Sequence, residues 1–400
     1  MGISISLESF IERMKKLLLI LITLAVTTSV TAQNATDKKY RVGIFASLYL
    51  DSSFAGSNYK FANQMPRHIL PGLDFVQGAL MAVDSIGNKQ QLEVVVYDLR
   101  SANQSLDQLS RRNSFDSLDL MIGSVSGAEY RTLSDLALMK NIPFVSATFP
   151  NDGGVTNNPF TIIVNPTLPA QCEAIYNFIM RSNPTANLLY VRKKGVQEDR
   201  LASYFAKYNK GANGATLLKW KTINLNDNFT AADLTAQLDS LKTNVLICGS
   251  LDESFGINLM NAAQKIYKTY PLELMGMPTW ETIKDISKPE YKDFSIYFSS
   301  SFFNTGTVAF NNFTKTFTDA TYGRPSDVAY KGYELTRYFV NLLFRYDDRL
   351  MQHLNERTYR SFTEYDFRPV LNTKTGKPDY FENKRIYMLK RSNNIVSRMN

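Results

Sequence analysis

In 400 residues the chain offers only two histidines, His68 and His353, and two cysteines, Cys172 and Cys248. General-base chemistry therefore has few candidates. Neither histidine has a second His, Cys or acidic pair at ligand spacing, which argues against a metal site. No glycine-rich phosphate loop, dinucleotide fingerprint or G-x-S-x-G nucleophile elbow occurs, so no cofactor is called for. Pieces of a serine acyl-enzyme set do appear in order: Ser57-x-x-Lys60, Ser101-Ala102-Asn103 and Lys374-Thr375-Gly376. Context argues against them, because a nucleophile of that kind opens a buried helix, whereas Ser57 lies in a polar loop and Lys374-Thr375-Gly376 in a hairpin turn. The expectation is a protein that binds and does not catalyse.

The side chains suited to binding sit just past short apolar runs. In the first half they are Tyr49 and Asp51, Asp98 and Arg100, Ser124 and Ser126, and Ser146 and Thr148. In the second half they are Arg192 and Lys193, Ser250 and Asp252, and Thr279 and Trp280. Hydroxyls and backbone N–H groups at helix N-termini suit an anionic group such as a carboxylate. Tyr49 and Trp280 have the faces to stack on an apolar or ring-bearing portion. Ser, Thr and Asp at such places serve equally as N-caps and turn formers, so each position has a purely structural use as well.

What would gather these residues is the pattern around them. From Tyr40 onward, β-rich runs alternate with longer segments of helical period, the mark of parallel sheets with crossover helices. YRVGIFASLYL (40–50), LEVVVYDL (92–99), LDLMIGSV (118–125) and IPFVSAT (142–148) read as strands. Between them GLDFVQGALMAVDSI places Phe75, Ala79, Ala82 and Ile86 on one helical face. A Gly/Asn/Pro cluster, PNDGGVTNNP (150–159), interrupts the pattern. It then restarts with strands FTIIVNP, NLLYVRK, ATLLKWKTI, NVLICGS, LELMGM and FSIYFSS. Two strong helices, VAFNNFTKTFTDATYG and DVAYKGYELTRYFVNLLFRYD, precede an aromatic tail with the look of hairpins. The fold class predicted is α/β, two doubly wound Rossmann-like lobes. Ligands in such sheets bind outside the carboxyl ends of the strands, where the residues above fall. The long connection from Leu50 to Pro71, with Phe54, Tyr59 and Phe61, reads equally as a lid, a partner-contact loop or a surface insertion.

The first 32 residues read as a signal peptide: Lys15 and Lys16, an apolar run from Leu17 to Val26, and Val30-Thr31-Ala32 before Gln33. Met14 stands as an alternative start. Removing that segment from 400 residues leaves 368, enough for two compact units, and lowers the net charge from +8 to +7. The basic residues are interleaved with carboxylates, which, with export, argues against a nucleic-acid partner. Cys172 and Cys248 both lie in apolar surroundings and are expected as buried free thiols in preference to a disulfide.

The blocks PGLDFVQGALMAVDSIG leading into LEVVVYD, MIGSVSG followed by ALMKNIPFVSAT, and YGRPSDVAYKGYELTRYF resemble the type I periplasmic binding proteins, the leucine-binding-protein-like solute-binding components of branched-chain amino-acid ABC transporters. The resemblance implies two lobes joined by a three-crossover hinge. Residues 38–157 plus 304–355 would form the N-terminal lobe, and 158–303 plus 356–400 the C-terminal lobe. It also implies a periplasmic protein, a monomer or weak dimer, that closes on a small amino-acid-like solute and hands it to a membrane permease. Members usually hold the ligand's carboxylate with hydroxyls after the third and fourth strands. This chain keeps Ser126 and Thr148 but has Gly127, Ala128 and Glu129, then Phe149-Pro150, where further hydroxyls are common. It also offers Pro278, Thr279 and Trp280 where an acidic residue is usual. An alternative is a cell-envelope regulator on the same scaffold, resembling the activators of peptidoglycan synthases.

Overall fold

A computed structural model of the chain describes residues 38–399 apart from 62–63, 88, 212, 304–305 and 394. The signal peptide expected over 1–32 lies outside the described residues.

The strands of the first half are β1 (Tyr40–Ala46), a small hairpin β2 (Phe54–Ala55) and β3 (Asn58–Tyr59), β4 (Leu92–Asp98), β5 (Leu120–Gly123), β6 (Phe144–Ser146) and β7 (Thr161–Ile163). The helices among them are α1 (Leu50–Ser53), α2 (Leu70–Ser85), α3 (Leu106–Arg111) and α4 (Gly127–Lys140). There follow α5 (Leu168–Ser182), β8 (Asn187–Arg192), α6 (Val196–Tyr208), β9 (Trp220–Asn224), α7 (Ala232–Thr235), β10 (Asn244–Cys248), α8 (Glu253–Ile266), β11 (Leu272–Met275) and β12 (Ser295–Ser300). The last third holds α9 (Val308–Thr321), α10 (Asp327–Tyr346), β13 (Phe367–Leu371), β14 (Pro378–Asn383), β15 (Tyr387–Ser392) and β16 (Ile395–Met399).

Two seven-stranded sheets result, ordered β13-β14-β7-β6-β5-β1-β4 and β16-β15-β12-β11-β10-β8-β9. All neighbours are parallel except β13 on β14, β15 on β12 and β16 on β15. Each sheet carries an apolar core on both faces, as a sheet buried between helical layers must. The first lobe's main core joins Val42 and Ile44 of β1 to Phe75 and Ala79 of α2 and Leu335, Phe339 and Leu342 of α10. Helices α2 and α10 touch backbone to backbone. A Cβ on Gly78 would lie 2.1 Å from the Ala329 carbonyl oxygen, and one on Gly332 would lie 2.1 Å from that of Phe75. Only glycine fits at either position.

The chain crosses between sheets three times, after β7 (164–167), after β12 (301–307) and between β14 and β15 (384–386). Three crossovers were expected, but two fall elsewhere, so the boundaries at 157/158 and 355/356 are corrected. The 150–159 cluster is an ordinary loop in which Gly153, Gly154 and Asn157 take positive φ. It returns the chain to the same sheet, where Thr161–Ile163 pairs with Phe144–Ser146. The tail also divides. β14 adds in parallel beside β7, Asn383 Nδ2 donates to the Val164 carbonyl, and Glu382 accepts from Thr167 N at 2.7 Å. Residues 367–383 therefore belong to the first sheet, and only 387–399 to the second. The second-lobe run ATLLKWKTI forms a shorter strand than its pattern predicts, reduced to β9.

Candidate functional site

Both lobes turn the carboxyl ends of their parallel strands toward the crossovers, because the chain leaves β7 and β12 by those ends to enter the other lobe. The strand-end loops of both lobes therefore lie on the side of the crossovers.

In the first lobe, Asp98 at the end of β4 is spent on the backbone. Its carboxylate accepts N–H bonds from Leu48 (2.8 Å), Tyr49 (3.2 Å), Leu50 (2.8 Å) and Arg100 (2.9 Å). These bonds hold the turn after β1, where Tyr49 takes a left-handed φ of 56°. Asp51 in turn accepts from Ser101 Oγ (3.0 Å) and Ala102 N (2.9 Å). Tyr49 remains half-buried, edge-on to His68 at 4.7 Å and 6.0 Å from the Arg100 guanidinium. Arg100 pairs with Glu129 at 2.9 Å.

The turns after β5 and β6 are the more open part. Ser124 and Thr148 hydroxyls lie 3.4 Å apart, both half-buried, and Thr148 donates to the Val125 carbonyl. Ser126 is the N-cap residue of the 14-residue helix α4, yet its side chain caps nothing, and Gly127 follows at φ 47°. The first N–H groups of α4 therefore lack the usual side-chain acceptor. Ser126 itself is exposed and reaches Glu129 at 3.4 Å. Ser146 is corrected: it is fully buried within β6, with its hydroxyl unbonded, because it points to the core side of the pleat with Phe144.

The second lobe keeps fewer of its candidates free. Arg192 turns back onto Asp199 at 2.5 Å with its side chain 12% exposed. Ser250 is buried and donates to Glu198 at 2.7 Å. Asp252 caps α8 through Ser254 N and Phe255 N. Lys193 bridges Asp252 (2.6 Å) and Asp227 (3.0 Å), which pulls the Asp252 carboxyl below the usual carboxylate range and pushes the Lys193 ammonium up. Thr279 is half-buried with an unbonded hydroxyl. Trp280 is the largest correction. It is 0% exposed, packed with Cys248, Phe255 and Leu274, so its face is unavailable for stacking on a ligand. Its ring lies flat on backbone, since a Cβ on Gly276 would come within 2.1 Å of it.

Two charged residues that sequence reasoning passed over stand where the lobes meet. Glu281 follows Trp280 in a tight turn, so an acidic residue does succeed β11, six positions after its last residue instead of at Thr279. Surrounding protein raises its carboxyl above the usual range. The Ser300 hydroxyl, with one hydrogen, lies 2.6 Å from both Glu281 Oε1 and the Phe302 carbonyl. Lys331 on α10 is half-buried, and desolvation lowers its ammonium against the pull of Asp327, Glu281 and Glu334. Helical phase could have marked Lys331, lying between buried Tyr330 and Gly332. Nothing in the local sequence points Glu281 at it.

The serine acyl-enzyme pieces do not assemble. Ser57 is exposed in the β2–β3 hairpin, and Lys374-Thr375-Gly376 forms the β13–β14 turn on Asn372. Among the described residues no group of three His, Cys, Asp or Glu could hold a metal, and both cysteines are free and buried. Among the same residues no helix is long and apolar enough to cross a membrane.

A family model described as periplasmic binding protein matches residues 70–368. No curated protein matches the chain. Among solved structures, similarity extends to a putative branched-chain amino acid ABC transporter protein from Rhodospirillum rubrum, at 11% identity and TM-score 0.66 over 90% of this chain and 100% of that one. An ABC transporter substrate-binding protein from Desulfitobacterium hafniense in complex with Leu gives 13% identity and TM-score 0.53 over 90% and 100%. The branched-chain amino acid transporter substrate-binding protein LivJ from Streptococcus pneumoniae in complex with isoleucine gives 16% and 0.51 over 90% and 98%. At these identities the likeness is one of fold.

Proposed function

The chain belongs to the periplasmic binding protein family, and from that premise we propose that it is an exported, non-enzymatic solute-binding protein whose lobes close on a small polar, amino-acid-like molecule and present it to a membrane permease. The observation that carries this reading is the open first-lobe wall. The first N–H groups of α4, which Ser126 leaves uncapped, supply donors for a carboxylate without a protein side chain already in place, and the Ser124–Thr148 hydroxyl pair lies on the turns beside them. In this reading Tyr49 borders that wall, and Lys193 with Asp252 and Thr279 supply the second-lobe side. Closure about the three crossovers would bring the two walls onto one solute.

The test is a thermal-shift screen of the mature protein against amino acids, their amides and short peptides. A solute at 100 times its Kd stabilises by about 2.7 kcal/mol. Ser126→Asp, which sets an acceptor over the uncapped N–H groups of α4 and repels a carboxylate there, should weaken any hit at least tenfold. Failure of every solute to move the midpoint, with an envelope enzyme recovered in a pull-down, would overturn transport in favour of the regulator. One feature favours that second reading: Leu50, Phe54, Phe61 and Met65 all stand exposed on the connection between β1 and α2, a surface suited to protein contact.

A further inference from the structure

On the outer flank of the first lobe, away from the strand-end loops, α2, α9 and α10 enclose a groove of about 620 Å³. Its floor is apolar and firm. Phe313 of α9 packs on Tyr333 of α10 at 4.5 Å between ring centroids, and Tyr333 stacks on Phe362 at 5.9 Å and 14°. Met81 of α2 closes the near side, and the exposed face of α9 at Thr316 forms the lip.

One end of the groove is cationic. Arg337 donates from Nη1 to the Tyr359 carbonyl (3.3 Å) and to Ser361 Oγ (3.1 Å). Arg360 donates from Nη2 to the carbonyls of Asn355 (3.1 Å) and Tyr365 (2.8 Å), and its Nε–H has no acceptor. Both guanidiniums are thus positioned by neutral oxygens, and neither makes an ion pair among the described residues. Two other arginines of the C-terminal segment do: Arg368 pairs with Asp366, and Arg385 with Glu364. Asp84, which also lines the groove, is engaged by Lys89 at 3.0 Å.

An enclosed apolar floor of this volume with a few convergent polar groups has the make-up of a small-molecule site. Two guanidiniums without a carboxylate specify the polar group as an anion, which arginine binds by paired N–H donors. We propose that this groove binds an amphipathic carboxylate, its aryl or short acyl body on Phe313 and Tyr333 and its head on Arg337 and Arg360. The groove is built from one lobe only, so binding there does not depend on hinge closure or on a solute in the cleft.

The probes are 3-phenylpropionate for the aryl body, octanoate for the acyl body and 3-phenylpropanamide as the uncharged match, each followed by calorimetry and saturation-transfer NMR on the mature chain. At least one acid should bind, and better than the amide by tenfold or more. Thr316→Trp, which fills the groove from an exposed helix position, should abolish that binding with the melting temperature unchanged. Arg337→Met should weaken it at least tenfold. Because Arg337 also ties down residues 359–361, Arg337→Lys serves as the second variant: keeping the charge but not the paired donors, it should bind more tightly than Arg337→Met and more weakly than wild type. The better acid assigns the body as aryl or acyl. No binding of either acid, equal binding of the amide, or binding indifferent to Thr316→Trp would each overturn the proposal.

Discussion

Replacing Asp98 by alanine removes a carboxylate that four backbone N–H groups share, those of Leu48, Tyr49, Leu50 and Arg100. A hydrogen bond to a charged group contributes roughly 1.5–3 kcal/mol net, and a buried donor left without a partner costs about 1–3 kcal/mol. Three of the four donors are at residues that water can reach, and Leu48 alone is buried, at 8% exposure. The exposed donors rehydrate, so the total falls well short of four full bonds and comes to about 3 kcal/mol. For a cooperative unit the size of the first lobe, each kcal/mol moves the melting temperature by about 2–4 °C. Calorimetry should therefore show a fall of roughly 6–12 °C for Asp98→Ala and a smaller one for Asp98→Asn, which keeps one acceptor oxygen. The turn it holds carries Tyr49, so solute affinity should fall along with stability. A melting temperature within about 2 °C of wild type, with affinity lost, would refute this account and make Asp98 a direct ligand contact.

Trp280→Ala opens a cavity in the second-lobe core and should cost about 3–5 kcal/mol in urea unfolding. A variant as stable as wild type that no longer binds solute would return Trp280 to the cleft. Glu334 is buried at 2% exposure and accepts from Phe362 N and Thr363 N, and burial raises its carboxyl above the usual range despite those bonds. The folded chain therefore holds that proton more tightly than the unfolded chain. The contribution is present at acid pH and is lost as pH climbs from the ordinary carboxylate range through the raised one. Urea midpoints measured from pH 4 to pH 8 should show a decline that Glu334→Gln flattens; parallel profiles would sink the assignment.

Much of the fold could be read from the chain because it depends on local periodicity. The strands of the first lobe and the helix faces of Phe75, Ala79 and Ala82 follow from spacing alone. Lobe membership did not, because it is set by long-range pairing. Nothing within PNDGGVTNNP says that the strand after it rejoins the sheet it left, and nothing within 367–383 reveals that Phe381 will lie beside Ile162. Likewise, hydropathy cannot tell a tryptophan that stacks on a ligand from one that fills a core. The glycines at 256 and 276, whose missing Cβ atoms make room for Trp280, were the readable hint.

The strand-end candidates separate by a single physical criterion, whether the folded chain already satisfies them. Arg100 has Glu129, Arg192 has Asp199, and Lys193 has Asp227 and Asp252. A solute that recruits any of these must break an existing ion pair or add to it, so little of their Coulomb attraction is left to drive binding. The groups with donors to spare are neutral: the first N–H groups of α4, which no side chain caps, since the hydroxyls of Ser126 and Thr148 already donate to Glu129 and to the Val125 carbonyl. Neutral donors gathered at a helix N-terminus favour a carboxylate without demanding net charge. The matching cation on a solute would then be left to the acidic side of the cleft, to Asp252, which would have to share Lys193, and to Glu281, whose carboxyl burial raises above the usual range. Selection among zwitterions would fall to that second wall, and the first wall would serve them all alike.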